Sequence, residues 1–147
     1  AVISRVAGDR SKVATAMPRI TRSIVVAYIL FNLAIAGTLI FAPTQLDLSY
    51  RGGPMTPTRE FLWFSIASLH LFLVAVTIAA LRMRRAAERR WIVLANAGFY
   101  LWDALTQWLY WGGHVGLARA DLHTNAGVSA GCAALLVFAA WSDRDPP

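Results

Sequence analysis

The sequence predicts an all-α integral membrane protein, in which four transmembrane helices form an up-down-up-down bundle with both termini in the cytoplasm. Three observations support this fold class: the composition, four long apolar runs, and an unequal distribution of basic residues. Hydrophobic residues make up 57% of the chain and charged residues 15%, whereas a soluble domain has about 45–50% and about 25% respectively. A single small core could not bury that much apolar surface.

The four apolar runs have the length that a membrane requires. About 20 helical residues cross a hydrocarbon core of about 30 Å, and the predicted spans cover residues 24–41, 61–81, 91–111 and 122–141. Helices are favoured because lipid cannot satisfy free backbone groups and the alternating pattern of barrel strands is absent. Pro18 is expected to stop any helix before the first span, and Thr56 with Pro57 to begin the second helix. We therefore predict one domain over residues 1–147.

The basic segment before the first span, residues 1–22, has two open interpretations. Its mixed apolar and basic side chains would suit an amphipathic helix lying along the membrane interface. Gly8, Asp9 and Pro18 interrupt that pattern, so a disordered tail is the alternative. The apolar run that follows is longer than the 7–15 residues typical of a signal peptide, so we predict that the first span is retained.

The net charge of +6 is explained by membrane orientation. Of the 14 Lys and Arg residues, all but Arg51, Arg59 and Arg119 lie in the N-terminal segment, in the turn after the second span or in the C-terminal tail. The positive-inside rule places these three segments in the cytoplasm. We expect them to contact anionic lipid headgroups rather than nucleic acid, which would need a soluble basic surface. The abundance of Ala and Arg favours a bacterial inner membrane.

One charged side chain lies within a predicted span. Asp103 belongs to a polar stripe on one face of the third helix, formed by Asn96, Tyr100, Asp103, Gln107, Tyr110 and His114. Charged residues in a membrane are costly, and they usually face the bundle interior with a partner. Counting from the ends of the spans places Asn32, His70 and Cys132 within about two turns of the same depth. We expect the four helices to share one buried polar layer.

This polar layer predicts a binding site for a lipid-like or hydrophobic small molecule, with acid–base chemistry of the isomerase or cyclase type. Asp103 would exchange a proton with the ligand and His70 would be its partner. Polar side chains near this pair are expected to orient the ligand: Asn32, Asn96, Tyr100, Gln107 and His114. The external loop 42–60 would act as a lid. We predict no metal and no cofactor. The sequence has one cysteine, so it cannot form a pair of redox-active thiols, and its only lysine, Lys12, lies outside every span, so no cofactor can form a Schiff base within the membrane.

Two other functions remain open from the sequence. Hydrogen bonds between polar side chains also hold membrane helices together, and the Gly127-x-x-x-Gly131 pattern is typical of close helix packing. These features would suit a non-catalytic accessory subunit of a larger membrane complex, or a homo-oligomer. The third possibility is a path for protons or small solutes along the stripe from Asn96 to His114.

Overall fold

The computed structural model describes the backbone of residues 16–45, 55–109 and 119–143, with side chains in the last range from residue 123 onward. These residues form four long helices and no strand: α1 (Arg19–Phe41), α2 (Pro57–Arg82), α3 (Ala86–Leu109) and α4 (Arg119–Ser142); residues 43–45 are also helical. The helices begin three to five residues before the predicted spans because a helix continues into the headgroup region beyond its apolar segment. Most of the N-terminal segment, the centre of the proposed lid, Tyr110 and His114 lie outside the described residues.

The predicted helix start at Thr56 and Pro57 is confirmed. Helix α1 begins directly after Pro18, whose ring is accommodated at a helix start. At the start of α2 the hydroxyl of Thr56 accepts a hydrogen bond from the backbone N–H of Arg59 at 3.3 Å, and Pro57 occupies the first turn. Both features satisfy or remove backbone donors that have no partner inside the helix.

Three of the four helices are long and apolar enough to cross a membrane: α1, α2 and the part of α4 from His123 to Ser142. Helix α3 is less apolar because it carries the polar stripe. Two polar side chains of this stripe, Asn96 and Tyr100, are buried, whereas the tryptophans of the helix point outward. Trp91, Trp102 and Trp108 are 74%, 68% and 59% exposed.

The helices pack around a core that contains polar as well as apolar side chains. Helices α3 and α4 make the most extensive contact, followed by α1 and α2. Hydrogen bonds also join neighbouring helices: Thr21 Oγ1 donates to the carbonyl of Ala139 at 3.4 Å, and Asn96 Nδ2 donates to Thr77 Oγ1 at 2.8 Å. The largest apolar side chains of the core come from all four helices: Val25, Tyr28, Ile29, Leu73, Val74, Val93, Tyr100 and Leu136.

A buried ion pair joins the beginning of α3 to the end of α4. Arg89 Nε and Nη2 donate to the two carboxylate oxygens of Asp143 at 2.9 and 2.8 Å, and Nη1 donates to the carbonyl of Met83 at 3.0 Å. The side chains are only 2% and 3% exposed. Arg89 belongs to the basic turn after the second predicted span, which the positive-inside rule places in the cytoplasm. In the structure it also links α3 to the end of α4.

Candidate functional site

Asn32 lies at the centre of a hydrogen-bonded cluster between α1, α2 and α3. Its side chain is fully buried, and its Nδ2 donates to the backbone carbonyl of Tyr28 at 2.9 Å. Because a carbonyl can only accept, this bond fixes the orientation of the amide. Oδ1 therefore faces the other side, where it accepts from the Tyr100 hydroxyl at 2.9 Å and lies 2.7 Å from His70 Nδ1.

This arrangement determines which nitrogen of His70 carries hydrogen. The acceptor Oδ1 of Asn32 requires a hydrogen on Nδ1, so Nε2 is the nitrogen left for a ligand. In neutral His70, Nε2 has a lone pair and can act as a base or as a hydrogen-bond acceptor. Asn32 thus orients the imidazole in the way that carboxylates and carbonyls orient functional histidines elsewhere.

Asp103 lies at the centre of a second cluster, one turn further along α3. Its Oδ2 accepts from Gln107 Nε2 at 2.7 Å and from the Ser129 hydroxyl of α4 at 2.6 Å. The donor–acceptor pairing also fixes the amide of Gln107, whose Oε1 is buried without a hydrogen-bond partner among the described residues. A buried acceptor without a partner is costly, and such atoms in native structures call for an explanation.

The two clusters border one cavity of about 560 Å³ between the four helices. Its polar lining includes His70 from α2, Asp103 and Gln107 from α3, and Ser129 from α4. Tyr100 and Asn125 also contribute, and apolar or weakly polar side chains form the remaining wall: Phe31, Ala34, Ile35, Thr38, Leu39, Trp63, Ile66 and Val128. A mostly apolar cavity of this size with a few convergent polar groups is typical of a small-molecule site.

The structure brings together most of the residues singled out from the sequence, although not in the expected pairs. His70 and Asp103 line the same cavity, but the hydrogen-bond partner of His70 is Asn32 and that of Asp103 is Ser129, together with Gln107. The two titratable groups therefore face the cavity from different walls.

Two other residues singled out from the sequence do not line this cavity. Asn96 is nearer the start of α3, where its Nδ2 donates to Thr77, and it does not line the cavity. Cys132 lines a separate, smaller cavity between α1 and α4. His114 lies outside the described residues. Helical spacing in the sequence identified the polar face of α3, but it did not identify Thr77 as the hydrogen-bond partner of Asn96. Threonine is common in apolar helices, so its presence in α2 does not indicate a polar contact.

No three His, Cys, Asp or Glu side chains within the described ranges come together in a way that could hold a metal ion. Comparison with protein-family models, with curated proteins and with solved structures finds no match. The function must therefore be argued from the geometry of the cavity.

Proposed function

We propose that this chain is a multi-pass membrane protein that binds a lipid-like molecule in the cavity between its helices and exchanges protons with it through Asp103 and His70. The cavity carries the proposal: an apolar wall from α1, α2 and α4 surrounds the polar side chains of His70, Asp103 and Gln107. Because the lining is mostly apolar and has only a few polar side chains, the matching ligand is an amphiphile, with an apolar chain and a small polar group.

Four membrane crossings with cytoplasmic termini are the topology that we favour. Helix α3 has tryptophans on its outer face and hydrogen-bonded polar groups on its inner face, as a helix surrounded by lipid and neighbouring helices should. Arg19 and Arg22 at the start of α1 line an open groove of about 500 Å³ together with Ser23. This groove suits an anionic lipid headgroup at the cytoplasmic face of a bacterial inner membrane.

The chemistry follows from the placement of the two titratable groups. His70 Nε2 and the Asp103 carboxylate border one cavity without a hydrogen bond to each other. When one of the two groups is protonated and the other is not, a ligand between them can lose a proton to the unprotonated group and gain a proton from the protonated one. One bond to hydrogen then breaks and another forms, and a proton returned from the first group to the second restores both without an oxidant. Such a proton shift is an isomerisation, and positioned acids and bases accelerate it by about 100-fold or more.

The proposal is tested with Asp103→Asn and a matched control, Glu88→Gln, which makes the same chemical change at an exposed position of the same helix. Protein in dodecyl maltoside is incubated with a neutral-lipid extract of bacterial membranes, and retained molecules are weighed by native mass spectrometry. We expect the wild type and Glu88→Gln to retain the same molecule. Asp103→Asn should retain about tenfold less, since it removes the charged acceptor.

Proton transfer is tested by repeating the incubation in D₂O. Deuterium on a carbon of the recovered lipid reports the exchange, and we expect about 100-fold less of it in Asp103→Asn and in His70→Gln. Retention and labelling that are equal in all variants would refute the site. Normal retention without labelling in the wild type would leave a binding protein and refute the catalytic part.

The outer face of α4 supports a second candidate, a subunit that assembles with another membrane protein or with its own copies. A methyl group added at Gly127 or Gly131 would meet nothing within 4 Å, so this small-residue face is not used inside the bundle. Gly127→Leu should then reduce co-purification of a partner or the oligomer mass, whereas Gly98→Leu, at an equally open position of α3, should not. A monomer in both variants and in the wild type would refute assembly.

A further inference from the structure

Three of the described residues that line the main cavity are also exposed at the protein surface. They are Ala34, Thr38 and Val128, of which Val128 is 47% exposed. The lining residues from α2 and α3 are all partly or fully buried. A lining residue that is also exposed lies where a cavity reaches the surface. Since the exposed lining residues belong to α1 and α4, the cavity reaches the surface between these two helices.

The packing of α1 against α4 leaves room for an opening there. These helices contact each other less extensively than α3 contacts α4 or α1 contacts α2. The hydrogen bond from Thr21 to the carbonyl of Ala139 joins them where α1 begins and α4 ends. Ala34 and Thr38 lie toward the other end, seven and three residues before the last residue of α1, Phe41. They are therefore about 10 and 5 Å from that helix end, at the depth of one leaflet.

The rim of this opening presents apolar atoms. Thr38 Oγ1 donates to the backbone carbonyl of Ala34 at 3.0 Å, so the hydroxyl has its hydrogen-bond partner within its own helix. Ala34 and Val128 add only methyl groups and hydrocarbon. Such a rim admits an acyl chain, whereas an ion or a strongly hydrated molecule would lose its water there without compensation.

Asp103 lies close to the opening and has an oxygen that a ligand can reach. Val128 directly precedes Ser129, whose hydroxyl donates to Asp103 Oδ2 at 2.6 Å. The other carboxylate oxygen, Oδ1, accepts no hydrogen bond from the residues that the structure describes, and it is not one of the enclosed polar atoms without a partner. A molecule inside the cavity can therefore contact Oδ1.

The cavity is too small for a whole membrane lipid. Its volume of about 560 Å³ corresponds to roughly 18 water-sized groups at about 30 Å³ each. A two-chain phospholipid has far more non-hydrogen atoms than that. A lipid that reaches Asp103 must therefore leave most of its length outside the cavity.

We propose that the main cavity opens sideways into the bilayer between α1 and α4, and that its ligand is a membrane lipid that inserts only its reacting end. The rest of the lipid stays among the acyl chains of one leaflet. On the topology favoured above, this is the leaflet away from the cytoplasm. The inference rests on the proposed function and adds the source of the ligand and its route to Asp103.

The opening is tested with two carbodiimides that differ in solubility. Dicyclohexylcarbodiimide dissolves in the bilayer, whereas the cationic ethyl(dimethylaminopropyl)carbodiimide stays in the buffer. Either reagent adds the O–H of a protonated carboxyl across one of its C=N bonds, and the acyl group then shifts to nitrogen to give a stable N-acylurea, so no further reactant is needed. Protein in phosphatidylcholine vesicles is treated with each reagent, and modified peptides are identified by mass spectrometry.

We expect Asp103 to react at least about tenfold faster with the lipid-soluble reagent than with the water-soluble one. Glu88 is the internal control, because its side chain is 50% exposed at the start of α3 and should show the opposite preference. Asp103→Asn should remove the adduct from this peptide. A smaller preference at Asp103 would mean that the carboxyl is reached from water, and it would overturn the sideways opening.

The position of the opening is tested by changing the size of the side chain at Val128. Val128→Ala widens the opening and should speed the reaction of Asp103 with the lipid-soluble reagent about threefold, whereas Val128→Phe should slow it about tenfold. The same two substitutions at Val137, which is 49% exposed on α4 but does not line the cavity, should leave the rate unchanged. Both positions are exposed, so neither series overfills the core. A rate that does not follow the size of residue 128, or equal changes in the two series, overturns the opening between α1 and α4.

The route of the ligand is tested by the time course of lipid retention in the native mass spectrometry assay described above. Val128→Phe should slow retention about tenfold and Val137→Phe should not. If Asp103-dependent retention persists at an unchanged rate in Val128→Phe, the route fails and the proposed function stands. If Val128 controls the carbodiimide reaction but no lipid is retained, the opening stands and the proposed function fails.

Discussion

The ion pair between Arg89 and Asp143 predicts a large and specific loss of stability in Asp143→Asn. The substitution keeps the shape of the side chain but removes the charge that balances a guanidinium only 2% exposed. Leaving one member of a buried pair without its partner typically costs about 3–5 kcal/mol. The asparagine can still accept one of the two hydrogen bonds that are 2.9 and 2.8 Å long, so we expect about 3 kcal/mol.

The exposed pair between Arg85 and Glu88 provides the control. Its atoms are 3.3 Å apart and its side chains are 66% and 50% exposed, so Glu88→Gln should cost at most about 1 kcal/mol. Both variants are unfolded in dodecyl maltoside with increasing sodium dodecyl sulfate, and helix content is followed by circular dichroism. A loss of about 3 kcal/mol lowers the folding equilibrium constant more than about 100-fold.

A double variant separates the charge from the packing. Arg89→Met combined with Asp143→Leu removes both charges and keeps apolar volume at the site, so it should be more stable than Asp143→Asn. The reasoning would be refuted if Asp143→Asn cost no more than Glu88→Gln, or if the double variant lost as much stability as the single one. Either result would mean that water reaches the guanidinium and compensates the lost carboxylate.

Two further predictions concern the bundle interior and a helix start. Asn32→Leu removes the oxygen that accepts from His70 and Tyr100, and it should lower the free energy of unfolding by about 1–3 kcal/mol in the same assay. Hydrogen bonds between membrane helices contribute about 0.6 kcal/mol on average and up to about 1.7. A loss below about 0.5 kcal/mol would contradict the central role of this amide. Thr56→Ala removes the hydroxyl that caps the N–H of Arg59 and should cost about 1 kcal/mol, whereas Thr56→Ser should be nearly neutral.

The sequence was sufficient to predict several residues of the candidate site but not which of them form hydrogen bonds with each other. Helical spacing was sufficient to select Tyr100, Asp103 and Gln107, because residues three and four apart share a face of a helix. It was not sufficient to pair His70 with Asn32 or Asp103 with Ser129. Those contacts join different helices. They depend on how each helix is rotated and how deep it lies relative to its neighbours, which a single sequence does not specify.

The sequence by itself determined that this protein is helical, that it has segments long and apolar enough to cross a membrane, and which residues within those segments are polar. These properties follow from apolar length and composition, which are local along the chain. Only the tertiary structure decided that Arg89 is buried against Asp143, that Asn96 donates a hydrogen bond to Thr77, and that His70 lies beside Asn32. A helix rotates by about 100° per residue, so a small change in rotation changes which side chains meet, while the hydropathy of the segment remains the same.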